Sequence, residues 1–162
     1  AGDELDVVAI LQHHVLEELE REPGKLDGLA AELLDRPSGI AGEARLYVAV
    51  QAGQCAAALA EDGIVAGDRV AIMLRNCPQW VMFEQAAMSL GLVAVPLYVV
   101  DRPDNIAYIV NDCQARVLLF EQDEQWQGLS TVAGQMGSIQ RFVSLEKVVG
   151  SSDTRLQCAH AD

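Results

Sequence analysis

The chain's 162 residues carry 24 Asp and Glu against 11 Lys and Arg, a net charge of −13. That balance argues against nucleic acid and anionic membrane as partners, since both are held through Lys and Arg on phosphate; an acidic, solvated, cytoplasmic surface is the reading it favours. Half the residues are hydrophobic and only 5% aromatic, so an aliphatic core of one domain, with or without an appendage, is expected, with no apolar run near the roughly 20 residues of a membrane span.

The chain starts AGDELDVV, without the basic opening of a signal peptide. Residues 5–21 read as an amphipathic helix, with Leu5, Val8, Ala9, Leu16 and Leu19 on one face and Glu17, Glu18 and Glu20 toward water. Pro23-Gly24 ends it, and a short second helix is expected over 27–34. Residues 36–42 read as a linker. This helical hairpin, residues 1–42 with its linker, has an apolar face that must be buried on its own domain or on another copy, so a homodimer through residues 5–34 is one expectation. His13 and Glu17 lie one turn apart, but two ligands on one helix are too few for a metal.

Residues 47–62 form the next expected helix, with Val48, Ala52, Cys55, Ala56 and Leu59 inward. After the Gly67-Asp68 turn, residues 69–74 suit a buried strand. Asn76 is placed to cap the following helix, with Pro78 in its first turn, where a missing N–H costs nothing. Trp80, Phe83, Ala87 and Leu90 recur at helical spacing, and Gly91 sits where a helix C-terminus wants a left-handed residue. Residues 92–98 are a second apolar strand. Asp101 is expected to cap a helix starting near Pro103 and burying Ile106, Ile109, Val110 and Cys113. Residues 116–121 are a third strand, 123–136 a helix with Trp126, Leu129, Val132 and Ala133 inward, and 140–145 a fourth. Residues 151–162 read as a frayed tail. Strands apolar on both faces and separated by helices mean a parallel sheet covered on both sides. The fold class is therefore α/β: a three-layer domain over 43–150, with a mostly parallel sheet of three or four strands, preceded by the hairpin.

In such a sheet, ligands bind beyond the carboxyl ends of the strands. Those ends carry Arg75, Asn76, Tyr98 and Asp101, with residues 121–123 after the third strand; the competing reading makes Asn76 and Asp101 helix caps and Tyr98 a packing residue. No phosphate-binding glycine motif is present: Gly63-x-x-x-Gly67 precedes a strand, so its amides do not open a helix. Cys55, Cys77, Cys113 and Cys158 are widely spaced, which predicts free and mostly buried thiols rather than disulfides or zinc. Cys77, at a helix N-terminus, is the candidate reactive thiol, with no His or acid assignable beside it. No catalytic set and no metal site emerges from spacing.

The run GDRVAIMLRNCPQWVMFEQAAMSLGLVAVPLY followed by DRPDNIAYIVNDCQARVLLFE resembles the N-terminal region of the adenylate-forming enzymes, most closely the acyl-CoA synthetases (long-chain fatty-acid–CoA ligases), over residues 52–121. The resemblance implies an ATP-dependent ligase that converts a carboxylic acid to an acyl-adenylate and then to a coenzyme A thioester, with ATP, Mg²⁺ and coenzyme A bound by the whole enzyme and none by this chain. In the family the Ser/Thr/Gly-rich loop ending in Pro-Lys-Gly, the Tyr-Gly-x-Thr-Glu motif and the lid Lys all lie downstream of the matched region. None of them occurs here, so no catalytic residue transfers. Where the family places basic residues against coenzyme A, this chain reads EQDEQWQG. The chain is thus expected to be the N-terminal portion of such an enzyme, inactive alone, with the remainder of the enzyme as its partner. The alternative is a stand-alone interaction or dimerisation module on the same half-fold.

Overall fold

Alanine repeats between Ala49 and Ala60 let a helix lie close on a sheet, and Gly63, at φ 74°, ends it. The computed structural model describes residues 40–158, with side chains from Val48 onward. The expected hairpin at 5–34, His13 included, lies outside the described residues. Helix α1 (Ile40–Glu61) begins inside the stretch expected to be linker. It is followed by β1 (Arg69–Met73), α2 (Pro78–Ser89), β2 (Val93–Pro96), α3 (Pro103–Cys113), β3 (Ala115–Phe120), α4 (Asp123–Ser130), a 3₁₀ turn (Ala133–Gln135), β4 (Arg141–Ser144) and β5 (Leu156–Cys158). All neighbouring strands are parallel, in the order β2-β1-β3-β4-β5.

The period of two along β1 divides the core. Val70 and Ile72 face α1 and α2 with Val117, Leu119, Phe83 and Ala86. Ala71 and Met73 face α3 and α4 with Leu118, Phe120, Ile106 and Trp126. Trp126 stacks on Phe120, centroids 5.6 Å apart, and meets Phe142 edge-on at 5.1 Å; such pairs add about 0.5–1.5 kcal/mol beyond area burial. Three of the eight aromatics, Phe120, Trp126 and Phe142, therefore meet at one place on the α3/α4 face of the sheet.

The α/β class stands, and the sheet has five strands, one more than the most expected. The extra strand comes from the stretch read as a frayed tail. Arg155 holds that stretch in place. Its guanidinium donates to the carbonyls of Ala133 (3.0 Å) and Met136 (3.1 Å), pairs with Asp153 at 2.7 Å, and lies 4.8 Å over the Phe142 ring. The backbone carbonyl of Arg155 also accepts from the Phe142 N–H at 2.9 Å, so β5 is fastened by a side chain that no hydrophobic pattern announces.

Two further corrections concern position. The apolar run at 92–98 suggested a strand buried on both faces, yet β2 lies at the sheet's edge and Val93 is 48% exposed. Both helix caps shift by one residue: Cys77 precedes α2 and Arg102 precedes α3, neither with a side-chain cap. Proline at the first position of each helix leaves one orphan N–H fewer and presets the helical φ, which favours helix initiation there without a side-chain cap.

Candidate functional site

The chain leaves β1 toward β2 on one side and returns to β3 on the other, so α2 and α3 lie on opposite faces of the sheet. A crevice opens where the order reverses, beyond the carboxyl ends of β1 and β3. Its volume is about 540 Å³, and its walls include Met73, Arg75, Asp101, Gln122, Glu124 and Gln125. Of the four residues expected there, the structure brings Arg75 and Asp101 to the crevice. Asn76 is exposed and not on its wall, and Tyr98, 75% exposed, points to solvent.

Gln125, Arg75 and Asp101 are each engaged with neighbouring protein groups. Gln125 Oε1 accepts the N–H groups of Glu121 (2.7 Å) and Gln122 (3.1 Å), and its Nε2 donates to the Met73 carbonyl at 3.3 Å. This one amide ties the ends of β1 and β3 to the first turn of α4 and uses N–H groups that an anion would need. Arg75 Nε donates to Glu121 Oε2 at 3.3 Å. Asp101 is turned onto its own backbone and helix, with Oδ1 accepting the Arg102 N–H at 2.8 Å and Oδ2 accepting from Asn105 Nδ2. Asp123 joins α4 to the loop after β4 by accepting the Val149 N–H at 3.2 Å.

Electrostatics point the same way. Arg75 is the cation of the crevice wall and is already paired, while Asp101, Glu121 and Glu124 are acids at or beside it. A polyphosphate placed here would meet net negative charge, with the wall cation, Arg75, paired to Glu121 and with the amides of Glu121 and Gln122 held by Gln125. The residues present therefore do not fit ATP with its Mg²⁺. Among the described residues no cluster of three or more His, Cys, Asp or Glu could hold a metal, and no helix is long and apolar enough to cross a membrane. All four cysteines are free and partly buried. Burial pushes the Cys55 thiol up to about 11, which makes it a poor nucleophile at neutral pH.

Sequence reasoning missed Gln125, the hub of the crevice. Its signal was available: Gln122-x-x-Gln125 directly after a strand has the spacing of a capping box, in which the third-position side chain reaches back to the N-cap amide.

Together, the sheet order and the strand-end crevice define an open, doubly wound α/β domain. Residues 48–157 match the family model for the AMP-binding enzyme, and the chain belongs to that family. It is 39% identical over 72 residues to fatty acyl-CoA synthetase A of Dictyostelium discoideum, covering 44% of this chain and 11% of that protein. It is 29% identical over 127 residues to the peroxisomal long chain acyl-CoA synthetase 6 of Arabidopsis thaliana, covering 78% of this chain and 17% of that protein. Among solved structures, the anthranilate CoA ligase AuaEII in complex with anthranoyl-AMP superposes with a TM-score of 0.62 and 26% identity, over 68% of this chain and 21% of that one. The chain thus spans well under a quarter of the length of these relatives.

Proposed function

We propose that this chain forms the N-terminal portion of an ATP-dependent acyl-CoA synthetase, in which a carboxylic acid, a fatty acid by its relatives, is activated as an acyl-adenylate and transferred to coenzyme A. On its own the chain is catalytically inactive. The family match over residues 48–157 carries the ligase reading; the inactivity is supported by the crevice, where Gln125 holds the amides of Glu121 and Gln122 and Glu121 pairs with Arg75. The remainder of the enzyme is its partner and brings ATP, Mg²⁺ and coenzyme A. Electrostatic stabilisation of phosphate charge, the large term in such chemistry, then comes from groups outside these residues.

Fatty-acid-dependent ATP–pyrophosphate exchange tests both halves of the reading. The 162-residue chain alone is expected to give none, and a longer polypeptide carrying this chain in front of the downstream adenylate-forming motifs is expected to give it. Exchange by the short chain overturns the inactivity; absence of exchange and thioester formation in the longer one, over a panel of fatty acids, overturns the ligase assignment.

A further inference from the structure

On the outer side of α1 and α2, away from the sheet, a second groove of about 660 Å³ takes no part in the crevice. Ala49, Ala52 and Gly53 of α1 line one side; Val81, Gln85 and Ser89 of α2 line the other, and no charged side chain contributes. Nothing lies within 4 Å of the point where a Cβ on Gly53 would stand. Val50 and Met88, on the same two helices, are 44% and 61% exposed. Small residues on one side and Val81 on the other suit the close approach of a third helix, whose ridge of side chains would fill the groove.

We propose that the occupant is this chain's own segment 5–21. Its sequence carries a stripe of the required kind, Leu5, Val8, Ala9, Leu16 and Leu19, with Glu17 and Glu18 on the far side and Glu20 at the stripe's edge. An uncharged groove accepts the stripe while the acidic face stays in water. The tether reaches easily. α1 starts at Ile40, so the groove's α1 residues lie only about 12–20 Å along it at 1.5 Å per residue, and the 18 residues from 22 to 39 can span up to about 60 Å. The rival occupant, the same segment of a second copy, must bring one −13 chain onto another. It also forgoes the roughly millimolar effective concentration that a short tether gives.

The test uses the full chain with p-benzoylphenylalanine replacing Val81, a 43% exposed position on the groove wall. It is mixed from isotopically light and heavy copies and irradiated, and the crosslinked peptides are sequenced by mass spectrometry. Expected are crosslinks from position 81 into residues 5–21 within single copies, with yield falling roughly tenfold when Gly53→Trp fills the groove. The paired substitution Leu16→Glu and Leu19→Glu breaks the stripe without touching the described domain, and it gives the same loss if Gly53→Trp perturbs folding. Crosslinks joining light to heavy copies would assign the groove to a dimer and overturn the proposal. So would crosslinks that avoid 5–21, or a yield indifferent to both variants.

Discussion

The two edges of the sheet are finished in opposite ways. At one edge, β5 is bound down by polar, directional contacts from Arg155, while Phe142 and Trp126 fill the space beneath. At the other, β2 has no strand beyond it among the described residues. Val93 in that strand and Tyr98 and Val100 just after it are 48%, 75% and 78% exposed. An open strand edge with apolar neighbours is an aggregation liability that folded proteins normally blunt with charge, proline or a cover; here Pro96 alone does so within the strand. Neither β2 nor β5 has a strand beyond it among the described residues; the contrast is that β5 is anchored from behind by an arginine, whereas β2 carries exposed apolar side chains around it.

The largest expected effect lies at the anchored edge. Phe142 is fully buried between Trp126 and Arg155. Phe142→Ala should destabilise the domain by about 3–5 kcal/mol, the range for emptying an aromatic core site, read as a lowered urea midpoint with an unchanged slope. If the loss is below about 1 kcal/mol, the anchored edge is not where the stability resides.

Next comes Arg155→Ala. It strips charged hydrogen bonds from the carbonyls of Ala133 and Met136 and leaves Asp153 only the backbone N–H of position 155, which should cost about 2–3 kcal/mol. Amide exchange at residues 156–158 should rise far more than at β1, since local opening precedes global unfolding. The pair also predicts a pH dependence. The hydrogen bond from Arg155 holds the Asp153 carboxyl below its ordinary 3.8. Its contribution is therefore present above the ordinary carboxylate range and lost as pH falls through the depressed value. Asp153→Asn should be less stable than the native chain at pH 6, with the difference closing in strong acid; a constant gap at every pH would sink the assignment.

How much of this was legible in the sequence follows the same divide. Parallel β/α alternation, the inward faces of Ile106, Val110, Trp126 and Leu129, and the ends at Gly63 and Gly91 were readable because periodicity and left-handed glycines are local signals. The fifth strand was not. Leu156–Cys158 is three residues long and is held by an arginine bonding to a turn some twenty residues earlier, a contact with no local pattern. β2 misled for the reverse reason: Val, Ala and Val read as buried, and only tertiary order places them at an edge. For the crevice, strand ends told where to look, and Arg75 and Asp101 are there. That the site would be closed on itself depended on Gln125 reaching back to two amides and a neighbouring strand, visible only as a weak Gln-x-x-Gln spacing.

The open edge sharpens the comparison with a smaller effect. Val93→Lys puts a charge on half-exposed β2, where surface changes usually shift stability by no more than about 0.5 kcal/mol. Self-association measured by sedimentation at increasing concentration should fall, because a lysine on an edge strand disfavours edge-to-edge pairing. If the variant instead unfolds the domain, β2 is a core strand and the contrast between the two edges is wrong.

The smallest effect belongs to Glu121→Gln, at the crevice between these two edges. The Arg75–Glu121 pair spans the ends of β1 and β3 but is 66% and 30% exposed, so screening leaves it worth well under about 1 kcal/mol. Stability should barely change and should lose part of its salt dependence. The substitution also frees Arg75, which separates two explanations for a crevice without phosphate chemistry. If pairing alone disarms the site, ATP binding should appear in the variant at low salt and fade as salt rises. If the site is unsuited as a whole, calorimetric titration should stay flat, because Asp101 and Glu124 still outnumber Arg75 and Gln125 still holds the amides of Glu121 and Gln122. The second outcome is expected: the position-121 N–H keeps its bond to Gln125 whatever side chain it carries, so removing one carboxylate changes the charge of the crevice without opening its donors.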